Sequence, residues 1–312
     1  MTALVTDAAS LVVVAETADT RVIRHLFGET EIPTDLQRIV VIQDQNMFLP
    51  ILELGEGDRV VGSAGGLRED GTPYFRRTQD YDTSGVTMIG GIYEPNLELI
   101  TELNPDLIFS SQYEITEENY ELFSAIAPTV VVEQFTRPIW GSLFDIALLV
   151  NAQDVAIAQK AAYDERVTTI QAALSDPSEI TVSIIGGSPE GFFIVGIAHA
   201  PSFLVTTDLG LSISSPLQEL IDAGEFSPVY SLESIQQADG DVVYVVDFDG
   251  DSAILTESPL YATLEVVQKG QAHVVDGSTH AGLSVQALNA WLDTFEETLL
   301  VDSLDTSWEP TE

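Results

Sequence analysis

Apolar residues in this chain follow two alternating patterns, and the alternation indicates the class of fold. Short runs rich in valine and isoleucine, such as 39–42 and 242–246, have the length and composition of buried strands. Stretches with apolar residues three and four positions apart, such as 97–103 and 286–299, have the period of amphipathic helices. Strands that alternate with helices are typical of α/β architecture with a mostly parallel sheet. The predicted strands are 39–42, 60–63, 86–89, 106–110, 129–132, 181–185, 191–195, 242–246 and 272–275.

A long helical pattern lies near the middle of the chain. Apolar residues recur at helical spacing from about residue 142 to Leu174, and Pro177 ends the pattern because proline cannot continue a helix. A helix of that length would extend about 50 Å, and we expect it to be a rigid strut between two lobes. The predicted organisation is a disordered N-terminal tail at 1–20, an N-terminal α/β lobe at 21–140, a connecting helix at 141–175 and a C-terminal α/β lobe at 176–312.

The charge composition excludes two classes of partner. The 312 residues include 50 acidic and 11 basic side chains, which gives a formal net charge of −39. A surface this negative repels phosphate backbones and anionic lipids, so nucleic-acid binding and membrane docking through a basic patch are excluded. High salt screens the self-repulsion of such a surface, and an exported protein that faces brine would fit.

The sequence also bears on redox chemistry and targeting. It contains no cysteine, which excludes disulfides and thiolate chemistry. No apolar run reaches the ~18 residues that a membrane span needs. The run 11–15 is too short for a signal peptide and lacks its basic flank, so we expect the signal or lipid-anchor segment of an exported protein to be absent from this sequence.

Catalytic and metal-binding patterns are missing from the sequence. Ser63 and Ser188 lie among glycines, yet neither completes the G-x-S-x-G motif of hydrolases. The four histidines are scattered without metal-ligand spacing, and His273 falls inside a predicted strand, which favours a structural role. We therefore expect neither an enzyme nor a protein metal site. A hydrolase that uses the carboxylates of a cleft is the alternative from a different functional class.

One segment carries a specific resemblance. Residues 90–100 read GGIYEPNLELI, and 103–109 read LNPDLIF. This segment resembles the core motif of the substrate-binding proteins of ABC importers, in the class that takes siderophores, haem or vitamin B12. Ala127-Pro128 and the SLESI run at 231–235 agree with that class in order and spacing, and the resemblance extends from about residue 21 to residue 300.

The resemblance implies a fold and a function. Proteins of this class have two Rossmann-like lobes joined by one long rigid helix, the class III periplasmic-binding-protein arrangement, with the ligand at the strand ends between the lobes. We expect a monomeric extracytoplasmic protein, periplasmic or lipid-anchored at the outer face of the membrane, that captures a ferric siderophore and delivers it to an ABC permease. No cofactor is expected, since the siderophore itself coordinates the iron. Haem or cobalamin is the alternative ligand, and the class of siderophore stays open.

Candidate ligand residues follow the predicted strand ends. Aromatic rings would cover the apolar surface of the chelator, and guanidinium groups would meet its metal-bound oxygens. The predicted ligand-binding residues are Gln45, Asn46, Arg68, Arg77, Tyr93, Gln112, Tyr113, Arg137, Trp140, Phe192, Phe248 and His280. Arg76 and Arg77 could equally pair with surface acids, and Tyr93, Tyr113 or His280 could contact a haem iron.

The resemblance also assigns a role to two glutamates. Glu98 lies inside the motif, and Glu233 lies in the SLESI run. They match the paired surface glutamates, one in each lobe, that meet arginines of the permease in relatives. The resemblance therefore implies that Glu98 and Glu233 form the permease-docking sites.

Overall fold

The chain divides into two structural units. The computed structural model describes residues 11–68, 70–134, 139–194, 201–213, 218–219, 229–248 and 250–300. One unit consists of Met1–Lys160 with Gly282–Val285, and the other of Ala161–Ala281 with Gln286–Glu312. No helix of the described part is long and apolar enough to cross a membrane.

A small antiparallel sheet opens the first unit. Its strands are β1 (Val12–Glu16), β2 (Thr20–His25) and β3 (Gly28–Pro33). Leu11 is buried, and its N–H donates to the carboxylate of Asp145 at 3.0 Å. The structure therefore corrects the predicted tail at 1–20, because residues 11–20 are ordered by strand pairing, while residues 1–10 lie outside the described part.

A five-stranded parallel sheet follows, and it supplies the core of this unit. The buried residues Val40, Ile108 and Val131 of three neighbouring strands pack in one cluster. The order across the sheet is β10-β9-β4-β5-β8. A two-stranded hairpin, β6-β7, comes after β5, which is the second strand of this sheet along the chain. The strands are β4 (Ile39–Val41), β5 (Val60–Ser63), β6 (Gly66–Leu67), β7 (Pro73–Tyr74), β8 (Thr87–Met88), β9 (Leu107–Ser111) and β10 (Thr129–Val132).

The small sheet covers the edge strand β10. Leu26 N donates to Val131 O at 3.1 Å, directly after β2. The buried imidazole of His25 accepts from Val131 N through Nδ1 at 3.4 Å, and desolvation lowers the pKa of His25 to about 4. His25 is therefore neutral at physiological pH and holds the two sheets together. Because the small sheet covers β10, this edge of the parallel sheet is not open to pairing with other chains.

Short helices connect the strands of the first unit. A π-helix (Asp44–Phe48) leads into the first α-helix, and a 3-10 helix (Gly57–Arg59) precedes β5. The α-helices are α1 (Leu49–Glu53), α2 (Leu97–Glu102), α3 (Tyr120–Ser124), α4 (Ile139–Leu149) and α5 (Gln153–Ala173). The division between the two units falls inside α5.

The structure corrects the single helix predicted at 141–175, because α4 and α5 are separated at Asn151. This residue has a left-handed φ of +59°, which asparagine tolerates better than most residues. Arg21 Nη2 donates to Leu149 O at 2.6 Å, and Arg59 Nη1 donates to Val150 O at 3.1 Å. These bonds satisfy carbonyls at the end of α4. The apolar repeat continues across the break, so periodicity alone does not reveal it.

A mixed sheet forms the core of the second unit. The order is β14-β12-β11-β15-β16, with β13 paired to β11. The pairs of β11 with β13 and β15, and of β15 with β16, are parallel, while β12 forms an antiparallel hairpin with β11. The strands are β11 (Thr181–Ser188), β12 (Gly191–Ile194), β13 (Ser212–Ile213), β14 (Val229–Tyr230), β15 (Val242–Asp247) and β16 (Ala272–Asp276).

The last helix packs an aromatic cluster onto this sheet. Tyr244 of β15 makes edge contacts with Trp291 and Phe295, at ring-centroid distances of 5.6 and 5.1 Å. His273 of β16 stacks on Tyr244, which confirms its predicted strand position. The helices are α6 (Pro201–Asp208), α7 (Ser252–Thr256), α8 (Glu265–Gln268), α9 (Gly277–His280) and α10 (Val285–Leu299), with 3-10 helices at Pro177–Glu179, Leu232–Ala238 and Tyr261–Thr263.

Arg21 tests the account of the break between α4 and α5. Its guanidinium is buried, so Arg21→Gln leaves the Leu149 carbonyl and the Asn151 side chain without their donor. We expect the free energy of unfolding to fall by about 2–3 kcal/mol, measured by denaturant unfolding.

The matched control for Arg21 is Arg24→Gln on the same strand. Arg24 forms an exposed ion pair with Glu29, so its loss is expected to change the unfolding free energy by less than about 0.5 kcal/mol. Equal effects at the two positions would contradict the capping role of Arg21.

Candidate functional site

A short hairpin that contains Arg68 follows strand β5 of the first unit, and Arg76 and Arg77 come directly after the hairpin. Arg68 N donates to Thr72 O at 2.9 Å, and Gly71 N donates to Arg68 O at 2.9 Å, which closes the turn between β6 and β7. The exposed guanidinium of Arg68 lies over the ring of Tyr74, with 4.9 Å between Cζ and the ring centroid. The ring therefore positions one arginine of the hairpin through a cation–π contact.

A buried carboxylate positions a second arginine. Asp44 lies at the carboxyl end of β4 and is 0 % exposed. It accepts hydrogen bonds from Arg76 N at 2.9 Å, from Arg76 Nε at 3.0 Å and from Arg76 Nη2 at 2.5 Å. A buried acid is costly unless it is paired in this way, so Arg76, two residues after β7, is fixed against the end of β4.

The surroundings keep Arg76 charged. Burial lowers the pKa of its guanidinium, but the hydrogen bond and charge of Asp44, with smaller effects of Tyr74 and Tyr93, outweigh burial and raise the pKa above its usual value. Tyr93 keeps 73 % of its surface exposed. We call Arg68, Tyr74, Arg76, Arg77 and Tyr93 the arginine cluster.

Arg77 joins the same cluster through an unusual backbone conformation. Its φ is +63°, in the left-handed region that few non-glycine residues adopt. Its Nη1 donates to Oε1 of Gln45 in the π-helix after β4. The predicted ligand residues Gln45 and Arg77 are thus brought together. Strained backbone of this kind is frequent at functional sites.

The ends of β9 and β10 present fewer free groups. Gln112 Nε2 donates to Gln134 O at 3.1 Å, and Gln112 Oε1 accepts from Gln134 N at 2.9 Å, so the side chain joins the two strand ends. Tyr113 is 47 % exposed. Trp140 is buried beneath Lys160, with 5.6 Å from Nζ to the ring centroid, and Arg137 lies outside the described residues.

Asn46 has a structural role that its position after β4 did not reveal. Its side chain is buried, and its Oδ1 accepts from Leu283 N at 2.9 Å. The bond holds the Gly282–Val285 segment against the rest of the first unit. Because the side chain is buried and bonded to the protein, the structure does not support the predicted ligand contact of Asn46.

In the second unit, Phe192 and its neighbour Phe193 lie on opposite faces of β12. Phe192 is fully buried in the core, so the structure does not support its predicted ligand contact, while its neighbour Phe193 is half-buried. Phe193 stacks on Phe248, with 6.2 Å between centroids and 28° between planes. A Cβ on Gly186 would lie 2.4 Å from the Phe193 ring, and one on Gly277 would lie 2.6 Å from Phe248. The two glycines make room for this aromatic pair at the strand ends.

His280 packs inside the second unit, which corrects its prediction as a ligand residue. Nδ1 lies 3.0 Å from Asp276 O and 2.8 Å from Thr279 Oγ1, and Nε2 lies 2.8 Å from Thr294 Oγ1. Desolvation lowers the pKa of His280, and the neutral ring meets Trp291 edge-on at 5.0 Å. With both nitrogens bonded to the protein, the ring offers none to a haem iron.

Glu98 and Glu233 share a local setting in their separate units. Glu98 lies in the first turn of α2, where Asn96 Oδ1 accepts from Leu99 N at 3.0 Å. Glu233 lies in the first turn of the 3-10 helix Leu232–Ala238, where its N–H donates to the Oγ of Ser231 at 3.3 Å. Both side chains are exposed, and each is held on a capped helix start.

Sequence reasoning missed three residues that build these sites. Asp44 and Tyr74 position the arginines, and Phe193, not Phe192, is the partly exposed phenylalanine of β12. Period-two alternation along β12 could have found Phe193, since the residue next to a core position faces the other side of the sheet. The partner of Arg76 had no signal, because nothing local links residue 44 to residue 76. Within the described ranges, no group of three or more His, Asp or Glu residues is placed to hold a metal ion.

Comparison with known proteins adds relatives to this geometry. The profile of the family described as periplasmic binding protein matches residues 40–278. The chain is 32% identical over 297 residues to the probable siderophore-binding lipoprotein YfiY of Bacillus subtilis, across 89% of this chain and 87% of that protein. It is 27% identical over 270 residues to the ferric-anguibactin-binding protein FatB of Vibrio anguillarum, across 82% and 79% of the two chains.

A solved structure supports the same fold. SirA of Staphylococcus aureus, in its complex with staphyloferrin B, superposes with a TM-score of 0.73 at 24% identity, across 90% of this chain and 99% of that one. The comparisons confirm the α/β fold class and the resemblance carried by the 90–109 motif. Since the matched family consists of binding proteins, the expectation of a protein without catalytic activity is confirmed as well.

Substitution of the two phenylalanines of β12 tests which of them lies in the core of the second unit. Phe192→Ala removes a core ring and is expected to lower the free energy of unfolding by about 3–5 kcal/mol, measured by denaturant unfolding. Phe193→Ala removes a half-buried ring from the strand-end pair, so a smaller loss of about 1–2 kcal/mol is expected. A larger loss at Phe193 than at Phe192 would contradict the placement of Phe192 in the core.

Proposed function

The chain belongs to the periplasmic binding protein family, and from that premise we propose that it captures a ferric siderophore outside the cytoplasm for delivery to an ABC importer. The observation that carries the proposal is the arginine cluster at the strand ends of the first unit. Three guanidinium groups stand beside exposed tyrosine in a chain with a net charge of −39. Guanidinium groups suit the metal-bound oxygens of a chelate, and aromatic rings suit its apolar surface.

The second unit has an aromatic surface of its own at its strand ends. Phe193 and Phe248 stack over Gly186 and Gly277, and both rings are half-buried. Such a pair suits the apolar backbone of a chelator more than a charged group. In the first unit, the predicted residues Gln45, Arg68, Arg77, Tyr93, Gln112 and Tyr113 stay in the proposed ligand set with Arg76 added, while the buried Trp140 does not. In the second unit, Phe248 stays and Phe193 is added.

Iron would arrive as part of the substrate. In this proposal the siderophore supplies the oxygen ligands, and the protein recognises the finished complex without binding the metal itself. The names of the relatives YfiY and FatB favour a siderophore over haem or cobalamin. The two hydrogen bonds of the His280 ring also weigh against haem, because they occupy the nitrogens that would bind its iron.

Delivery would use the two capped glutamates. Glu98 and Glu233 are exposed, and each lies on a short helix whose first turn is fixed by a cap. The caps fix the backbone that carries each glutamate, and an exposed carboxylate can form a charge-assisted pair with a permease arginine. We propose that the protein works as a monomer, periplasmic or lipid-anchored, and the lipoprotein relative supports the second form.

The ligand is tested by titration of the purified full chain with ferric siderophores, haemin and cobalamin, followed by tryptophan fluorescence and calorimetry. We expect saturable binding below about 1 μM for at least one ferric siderophore, within the range of specific small-molecule sites. The iron-free siderophore and cobalamin serve as controls and are expected to bind at least about tenfold more weakly. Binding of haemin or cobalamin alone would contradict the proposal, and so would the absence of binding to any ligand in the panel.

The docking role is tested with the double variant Glu98→Ala/Glu233→Ala. Loss of both carboxylates should leave siderophore affinity unchanged and weaken capture by the permease, measured in vesicles that contain the importer, by about tenfold or more. The matched control is Glu102→Ala, another exposed acid on α2. Unchanged transport by the double variant would remove the docking role and leave ligand capture standing.

A further inference from the structure

We infer that Gly66 and Tyr74 are positioning residues for ligand capture, because together they hold the guanidinium of Arg68 in a fixed direction before the ferric complex arrives. The inference rests on the proposed function and names residues that act through Arg68 at the same site. It requires that the ring of Tyr74 be fixed, and that position 66 carry no side chain.

The pairing of β6 with β7 places the three residues on one face of the hairpin. Gly66 lies directly opposite Tyr74 in the antiparallel register. Arg68 follows Gly66 by two residues, so the alternation of side chains along a strand puts it on the same face, diagonal to Tyr74. Its Cζ lies 4.9 Å from the centroid of the Tyr74 ring. A planar guanidinium stacks well on such a ring.

Gly66 leaves the room that the Tyr74 ring needs. A Cβ at residue 66 would lie 2.6 Å from Cε1, 2.8 Å from Cζ and 2.9 Å from Oη of Tyr74, and real Cβ atoms do not come this close to their neighbours. Gly66 is not among the glycines with a positive φ. The ring therefore requires glycine here, and the backbone conformation does not. A side chain at residue 66 would push the ring away from its position beside Arg68.

The chain directly after Tyr74 is anchored to the core of the first unit. Phe75 makes an edge contact with the buried Phe48, at 5.4 Å between ring centroids. Arg76 is bonded to Asp44 through both its backbone N–H and its guanidinium. The Tyr74 ring is thus fixed relative to the end of β4. A guanidinium that rests on a fixed ring can donate to a ligand with a smaller loss of side-chain entropy than a mobile one.

An acid in the same turn limits what Arg68 can offer. Asp70 Oδ1 accepts from Thr72 N at 2.9 Å, and the hydrogen bonds from Thr72, with a smaller effect of the Arg68 charge, lower the pKa of Asp70. Glu69 lies outside the described residues. Because Asp70 offsets part of its charge, Arg68 does not attract a ligand through excess positive charge. It presents a planar donor in a fixed direction, which suits a pair of ligand oxygens.

Calorimetry on the full chain tests the role of the ring. Ferric dicitrate, ferric enterobactin, ferrichrome and ferrioxamine B are compared first, and the complex that binds most tightly becomes the probe. Tyr74→Leu is expected to weaken the probe by about three- to tenfold, because Arg68 must then be ordered on binding. Tyr74→Phe keeps the ring and should weaken the probe by less than about twofold.

Glycine variants test the room for the ring. Gly66→Ala should weaken the probe as much as Tyr74→Leu does, about three- to tenfold, because it displaces the same ring. The matched control is Gly85→Ala. A Cβ at residue 85 would meet nothing within 4 Å, and the φ of Gly85 is not in the left-handed region, so affinity should stay unchanged. Full affinity in Gly66→Ala would overturn the role of Gly66.

A double variant shows whether Tyr74 acts through Arg68. Arg68→Gln alone should weaken the probe by about tenfold. In that background Tyr74→Leu should add less than about twofold, because residues that act through one contact are not additive. An equal effect of Tyr74→Leu with and without Arg68 would overturn the positioning role, since the ring would then act on the ligand directly.

A measurement on the ligand-free protein separates positioning from capture. The side-chain Nε–H signal of Arg68 is assigned by its loss in Arg68→Gln, and its order parameter is measured by ¹⁵N relaxation. We expect an ordered side chain in the unchanged protein and in Tyr74→Phe. In Tyr74→Leu and Gly66→Ala the order parameter should fall below about 0.6, the range of flexible groups. A mobile Arg68 in the unchanged protein would overturn the inference.

The failures of the two proposals are distinguishable. A probe that binds equally well to the unchanged protein, Tyr74→Leu and Gly66→Ala would overturn the positioning role and leave siderophore capture intact. Binding of none of the four complexes, with Arg68 ordered in the folded protein, would overturn siderophore capture and with it the role of Gly66 and Tyr74 in that function.

Discussion

The ion pair between Asp44 and Arg76 is the interaction on which the proposed site depends. It joins the end of β4 to the segment after the β6-β7 hairpin, 32 residues further along the chain. A buried carboxylate cannot be left alone, so the pair forces this segment to lie at the strand ends. Arg77 and its partner Gln45 follow from the same constraint, because each is the chain neighbour of one member of the pair.

Scarcity of positive charge explains where the other arginines lie. Arg21 and Arg59 donate to the last carbonyls of α4, and Arg38 donates to Leu103 O after α2. Each of these guanidinium groups satisfies backbone acceptors that a lysine could not reach in the same geometry. Arg24 and Arg166 instead form exposed ion pairs with acidic side chains.

The sequence predicted features that depend on local or periodic signals. The apolar runs gave most strands of the parallel sheet, and the 90–109 motif identified the family. Features that depend on distant contacts were not accessible: the break at Asn151 is held by Arg21, and the orientation of Arg76 is held by Asp44. Asn46 and His280 both follow predicted strands, but a position after a strand does not determine whether the side chain turns inward.

The central claim is that the arginine cluster recognises the oxygens of a ferric complex while the siderophore alone coordinates the iron. A crystal structure of the full chain with its preferred ferric ligand tests this most directly. The account predicts ligand oxygens within about 2.7–3.2 Å of guanidinium nitrogens of Arg68 and Arg76, and no protein atom bound to the iron. A ligand bound away from these arginines, or iron coordinated by a protein side chain, would contradict it.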